Sequence, residues 1–259
     1  MNVIEEYEAI LISPLGAIKK TPHEAVDERF TAPLIRKIIE VWRARQDMVR
    51  AEQKITLQIK SICRRFCGDK SEADKLYRSM QNGMEHELAD CCYLFCKGLF
   101  ESRMPLKHYR KVYEKALVKL AEQLPAIEFC NSVKGFGPMG LAAIAAEIGD
   151  MSKYHKGLDG VMKRAGLAVI DGERQRKKAG DAALLHEYSP SRHAIFWTIG
   201  DSLLKSQGKD ETAGPYRKIY DARKELERAR VETDGHAHNR ALRYMTRRLV
   251  KDLYRMWSL

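Results

Sequence analysis

The sequence predicts an all-α fold: a long N-terminal helical arm followed by a helical domain that contains a helix-hairpin-helix. Three observations lead there. Apolar residues recur at three- and four-residue spacing along most of the 259 residues. No segment alternates convincingly between apolar and polar side chains, as a half-buried strand would. And Gly135-Phe136-Gly137-Pro138 reads as a sharp turn that opens directly into the alanine-rich stretch ending at Ile148.

Taken in order, residues 1–30 are poorly patterned, and Pro14, Gly16 and Pro22 point to a short helix, a loop and a lead-in. From Pro33 the pattern changes. Leu34, Ile35, Ile38, Ile39, Trp42, Val49, Ile55, Ile59 and Ile62 form an apolar stripe on one helix of about eight turns. Helices of that length commonly pair as coiled coils, so residues 34–66 are expected to make a homo-oligomer. The rest of a 31–122 helical region holds two or three helices, one opened by Pro105. Pro125 is expected to open the helix that leads into the hairpin.

In the last region, 123–259, the hairpin helix stops at Gly149-Asp150 and a short helix reaches Ala165-Gly166-Leu167. Residues 171–181 are polar and read as a loop. Helix resumes near Ser191, breaks between Ser206 and Pro215, and runs again to Arg230. A last helix begins near Ala237.

Composition narrows the function. No apolar run approaches a membrane span and no secretory signal is evident, so a cytoplasmic protein with six reduced cysteines is expected. Net charge is +11. After residue 150 there are 23 Lys and Arg against 14 Asp and Glu, so most of the excess sits in the second half. A face of that sign favours polyanions through counterion release.

The hairpin offers the chemistry that a phosphate needs. Two glycines permit close backbone approach, and the first N–H groups of the following helix lack intrahelical partners. Lys134, Gly135, Phe136, Gly137 and Met139 are therefore candidate DNA contacts. Arg174, Arg176, Lys177 and Lys178 form a second basic run in a glycine-flanked loop, suited to phosphates. Arg240, Arg243 and Arg247 supply a third, on the terminal helix opposite Leu242, Leu249, Leu253 and Trp257.

Other residues carry less. Cys63, Cys67, Cys91, Cys92, Cys96 and Cys130 lack the paired short spacing of a zinc site and read as core. His236 and His238 stand two apart at a helix start and seldom share a face. No spacing of carboxylates places a two-metal centre. No cofactor or metal is expected.

Several blocks of the second half occur in a recognisable order. Val133-Lys134-Gly135-Phe136-Gly137-Pro138 precedes Ala142, Ala145 and Glu147-Ile148-Gly149-Asp150, then Tyr154, Val161 and Ala165-Gly166-Leu167. Tyr216-Arg217, His238, Ala241, Arg247-Arg248-Leu249 and Trp257 follow. This order, over roughly residues 125–259, resembles the C-terminal transposase domain of the "one-ten" insertion-sequence family, the DEDD recombinases guided by a bridge RNA. The resemblance implies DNA as partner, structured RNA as a second one, and a link to transposition and recombination. Members also carry an N-terminal RuvC-like domain with four metal-binding carboxylates, and no counterpart of it is expected here. They place a catalytic serine in a Ser-Gly pair after the Gly-Leu block, where this chain has Ala179-Gly180. Ser189 and Ser191 are outside candidates for that nucleophile. The expected function is phosphate-gripping DNA binding. The alternatives are a serine-dependent recombinase that borrows a metal domain from another chain, and a helical partner-binding protein.

Overall fold

A computed structural model describes residues 28–258 and is helical almost throughout, as the sequence predicts. Most of the N-terminal lead-in, residues 1–27, lies outside the described residues. The described chain divides into two compact units, one of Val41–Ala116 and one combining residues 28–40 with residues 117–258.

The first unit is built from α1 (Pro33–Cys67), α2 (Lys70–Asn82) and α3 (Ala89–Ala121), less the ends of α1 and α3 that belong to the other unit. Its core joins Ile59 and Cys63 of α1, Ala73, Leu76 and Tyr77 of α2, and Cys92 and Cys96 of α3. Ile55, Ile62 and Phe66 pack beside them. The apolar stripe of α1, expected to hold a second copy of the chain, thus finds partners within its own chain. Asp69 starts α2 by accepting the N–H groups of Ser71 and Glu72 at 2.7 and 3.0 Å, and Gly83 ends it in the left-handed region.

Pro105 does not open a helix. α3 runs straight through it. An interior proline costs a helix about 3 kcal/mol, but here Cys92 and Cys96 are buried before it and Val112 and Ala116 after it. Burial on both sides holds the two halves in one helix while Pro105 itself stays exposed.

The second unit contains α4 (Ile127–Ser132), α5 (Pro138–Ile148), α6 (Gly157–Arg164), β1 (Val169–Ile170), β2 (Glu173–Arg174), α7 (Asp181–His186), α8 (Pro190–Ser206), α9 (Pro215–Arg228) and α10 (Asp234–Trp257). α10 is its spine. Ala237, Ala241, Met245, Leu249, Leu253 and Trp257 bury one face of it, which packs on α8 and α9. At Gly200 of α8 an added Cβ would lie 2.8 Å from the Thr246 hydroxyl and 2.9 Å from Leu242, so glycine sets the approach of those two helices. Leu141, Ala142, Ala145 and Ile148 of α5 are buried, as their spacing predicts.

The all-α fold carries one short addition. β1 and β2 form a two-residue antiparallel ladder, Val169 opposite Arg174 and Ile170 opposite Glu173. Asp171 and Gly172 turn the chain, both at positive φ. Strands of two residues are too short for alternation to show. The legible signal was the Asp-Gly pair itself, favoured where both turn residues need positive φ.

Candidate nucleic-acid interface

The hairpin turn joins α4 to α5, and its residues divide between packing and exposure. Gly135 has φ +92°, and a Cβ there would come within 2.9 Å of the Ser202 carbonyl oxygen and of Ser206 Cβ. This glycine is required by its packing on α8, whatever the turn binds. Phe136, a candidate contact, is 2% exposed and meets Phe129 edge-on at 6.5 Å. It anchors the turn in the core and cannot touch a ligand. Gly137 is the open position: exposed, extended at φ −101° and ψ 172°, with nothing within 4 Å of a Cβ placed on it. Its N–H and that of half-buried Met139 have no hydrogen-bond partner among the described residues. Lys134 is exposed beside them.

A residue that sequence reasoning missed holds this turn in place. Gln207, buried at the end of α8, donates from Nε2 to the Lys134 carbonyl at 3.0 Å. Its Oε1 accepts the N–H groups of Tyr216 and Arg217, at 3.0 and 3.1 Å, and so caps α9. One side chain therefore fixes the hairpin, α8 and α9 together. A cavity of about 240 Å³ beside it is lined by Val133, Lys134, Gln207, Thr212 and Tyr216. No sequence spacing signals such a contact, because its partners are 73 and 9 residues away.

The basic run 174–178 is only partly a free loop. Gln175 is buried and acts as a plug. Its N–H donates to the Ala168 carbonyl, its Oε1 accepts the Ala168 N–H, and its Nε2 donates to the carbonyls of Lys163 and His186. The cations around it point outward. Arg176 and Lys178 both pair with Glu173, at 3.0 and 3.3 Å, and Lys178 and Arg176 hold that carboxyl below its ordinary range. Exposed pairs of this kind are weak and exchange readily for a phosphate. Arg174 and Lys177 are exposed and have no ion-pair partner among the described residues.

On α10 the expected basic stripe separates into three environments. Arg240 is exposed and pairs at 3.0 Å with Glu227, a buried carboxylate that also takes Arg223. Arg243 is only partly exposed. Its guanidinium donates to the carbonyls of Gly166 at 3.1 Å and Ala168 at 2.8 Å, closing the chain after α6. Burial, with Arg247 and Arg174 nearby, lowers its pKa to about 10. Arg247 is half-buried without an ion pair among the described residues.

Arg174 and Arg243 meet at one cleft of about 110 Å³, with His193, Trp197 and Asn239. The hairpin residues line none of it, so the candidates form two separate features of this unit. Burial, then Arg243 and Arg174, lowers the His193 pKa below its usual value.

Ser189 and His238 have structural work. Ser189 caps α8, accepting the Arg192 N–H at 3.3 Å, and lies 3.0 Å from the Ser191 hydroxyl. Ala179 and Gly180 are exposed just before α7. His238 Nδ1 is 2.7 Å from the Tyr220 hydroxyl, while His236 is exposed in the first turn of α10, which Thr233 caps. Among the described residues no three His, Cys, Asp or Glu side chains gather as a metal site would require. Cys63, Cys92, Cys96 and Cys130 are buried, and burial raises their thiol pKa values, that of Cys130 to about 12. No described helix is long and apolar enough to cross a membrane. A scan against protein-family models and searches of curated proteins and of solved structures found no match to this chain.

Proposed function

We propose that this chain is a cytoplasmic nucleic-acid-binding protein, related to the transposases of the one-ten insertion-sequence family, that grips DNA through its phosphates in transposition or recombination. The observation that carries the reading is the first turn of α5. Gly137 leaves open space where any other residue would place a Cβ, and two N–H groups there lack partners among the described residues beside exposed Lys134. Unpartnered N–H groups at a helix start beside a lysine suit a phosphate oxygen, which supports reading the turn as a helix-hairpin-helix. Arg176 and Lys177 add exposed cations and Lys178 a half-buried one, and structured RNA is a second polyanion they suit. Binding is proposed rather than cleavage because Ala179 stands where the resemblance places a serine nucleophile, and a methyl group cannot attack a phosphodiester. Self-association belongs to the reading as well: part of the apolar stripe of residues 34–66 is covered within the chain, while Leu57 of that helix and Leu94 and Phe95 of α3 stay exposed.

A salt series on labelled duplex DNA, read by fluorescence anisotropy, tests the grip. The logarithm of affinity should fall linearly with the logarithm of salt. No binding at low salt, or binding indifferent to salt, overturns the proposal. Gly137→Asp sharpens it. Aspartate is a favourable N-cap at this extended position, so stability should hold or rise. Its carboxylate would accept the free Met139 N–H and repel a phosphate, weakening duplex binding roughly tenfold, the worth of one charged hydrogen bond.

A further inference from the structure

The cleft between α8 and α10 differs from the hairpin in shape and chemistry. Arg174 stands at it from β2 without an ion-pair partner among the described residues, and Arg243 is fixed beside it by two backbone carbonyls. His193 contributes an imidazole whose Nδ1 is sealed from solvent and has no hydrogen-bond partner. No carboxylate lines the cleft. Two guanidiniums at one cleft that no carboxylate lines leave a site for a negative group.

One turn along α8 from His193 stands Trp197, 41% exposed. Its indole is braced edge-to-face by His238, centroids 6.1 Å apart at 87°, and His238 is held in turn by the Tyr220 hydroxyl. A large aromatic ring kept in place and half open to solvent is a stacking surface. At about 110 Å³ the cleft takes a group of phosphate size, and a base stacked on Trp197 would lie at its open rim, which a paired base inside a duplex cannot reach.

We infer that this cleft binds an unpaired nucleotide of a nucleic-acid strand, its phosphate against Arg174 and Arg243 and its base stacked on Trp197. The inference rests on the nucleic-acid-binding reading above and adds a second site to it, selective for single strands. Either a displaced DNA strand or an unpaired RNA segment carries the chemistry.

The test compares a blunt DNA duplex, a single-stranded DNA dodecamer, an RNA dodecamer of the same sequence and a DNA dodecamer with an abasic site at every position. Anisotropy gives each affinity, and tryptophan emission reports stacking. Trp42 and Trp257 are buried, so Trp197 is the accessible indole among the described residues. Single strands should quench the emission, and Trp197→Ala should weaken their binding about tenfold, as loss of one base stack does. Duplex affinity should change less than twofold. Trp197→Phe, which keeps a ring, should restore most of the single-strand affinity, and an unchanged melting temperature shows that both variants fold. Preference for the DNA or the RNA strand identifies the source of the nucleotide. Equal binding of the abasic and ordinary strands, or single-strand affinity indifferent to Trp197→Ala, overturns the inference while duplex binding leaves the wider reading standing. Failure of the duplex and of every strand to bind overturns both.

Discussion

The two units are held together by different means. In the first, residues 41–116, helices pack through an apolar core of cysteine, leucine and isoleucine, and charged side chains answer one another across the helices. Arg110 bridges Glu52 at 2.7 Å and Glu114 at 2.9 Å, and Arg45 takes Glu114 from the other side at 2.8 Å. In the second unit, single polar side chains, buried or partly so, spend their hydrogen bonds on the backbone of distant segments. Gln175, Gln207 and Arg243 each close loops in this way. Paired charges at a partly exposed surface add modestly to helices that periodicity has already specified. A buried amide that satisfies several backbone groups fixes where loops go, and its removal leaves those groups unpaired. The second unit is also where the phosphate-binding candidates lie, which is consistent with binding residues carried on loops that a scaffold holds rigid.

The largest expected effect follows from that contrast. Gln207→Ala strands the Lys134 carbonyl and two N–H groups of α9, so the second unit should lose about 3 kcal/mol, roughly one for each hydrogen bond. Hydrogen exchange followed by segment should show protection falling around residues 133–140 and 207–218 and unchanged at 59–77. Equal loss in both units would break the comparison, since the side chain would then not be a local clamp.

This difference also decides what the sequence made legible. The stripes of α1, α5 and α10 are readable because burial repeats with the helical period, and Leu242, Leu249, Leu253 and Trp257 are buried as their spacing predicts. Arg243 has the same periodic context as Arg240 and Arg247. What distinguishes it is a pair of carbonyls 75 and 77 residues away, set by the fold alone. Phe136 was misread for a related reason. A turn between glycines looks exposed, yet the ring points into the core while the exposed backbone belongs to Gly137. The cleft at Trp197 was not legible either, because its residues come from β2, α8 and α10 and no short motif spans them.

A smaller effect, with a pH signature, is expected at Glu227. Arg240, then Arg223, holds its carboxyl below the ordinary 4.5 by hydrogen bonding. A depressed folded-state pKa means that the stabilisation is complete above about pH 4.5 and disappears as pH falls through the lower value. Glu227→Gln should therefore cost about 2 kcal/mol at pH 7, the scale of a hydrogen bond to a charged group. The gap between variant and wild type should narrow as melting is followed down to pH 3. A gap that stays constant across that range would show that the charge of Glu227 is immaterial. In the first unit, Arg110→Ala removes a bridging cation whose partners remain partly hydrated, and about 1 kcal/mol is expected. A loss as large as that of Gln207→Ala would erase the distinction between the units.

The smallest effect tests the outer surface of the first unit. Leu94 is 75% exposed on α3, close in sequence to exposed Phe95, and buries little that folding requires. Leu94→Lys should therefore change stability by less than about 0.5 kcal/mol in either direction, as surface substitutions generally do. Two such exposed side chains are costly to leave in water, however, and they offer a surface to a second copy of the chain. The same substitution should then lower the mass measured by light scattering at high concentration while the melting temperature at low concentration stays fixed. A mass that is unchanged in Leu94→Lys but falls in Ile59→Ser would place the interface on the α1 stripe. Since Ile59 is fully buried in the unit's own core, that result would require α1 to exchange its partners within the chain for those of a second copy.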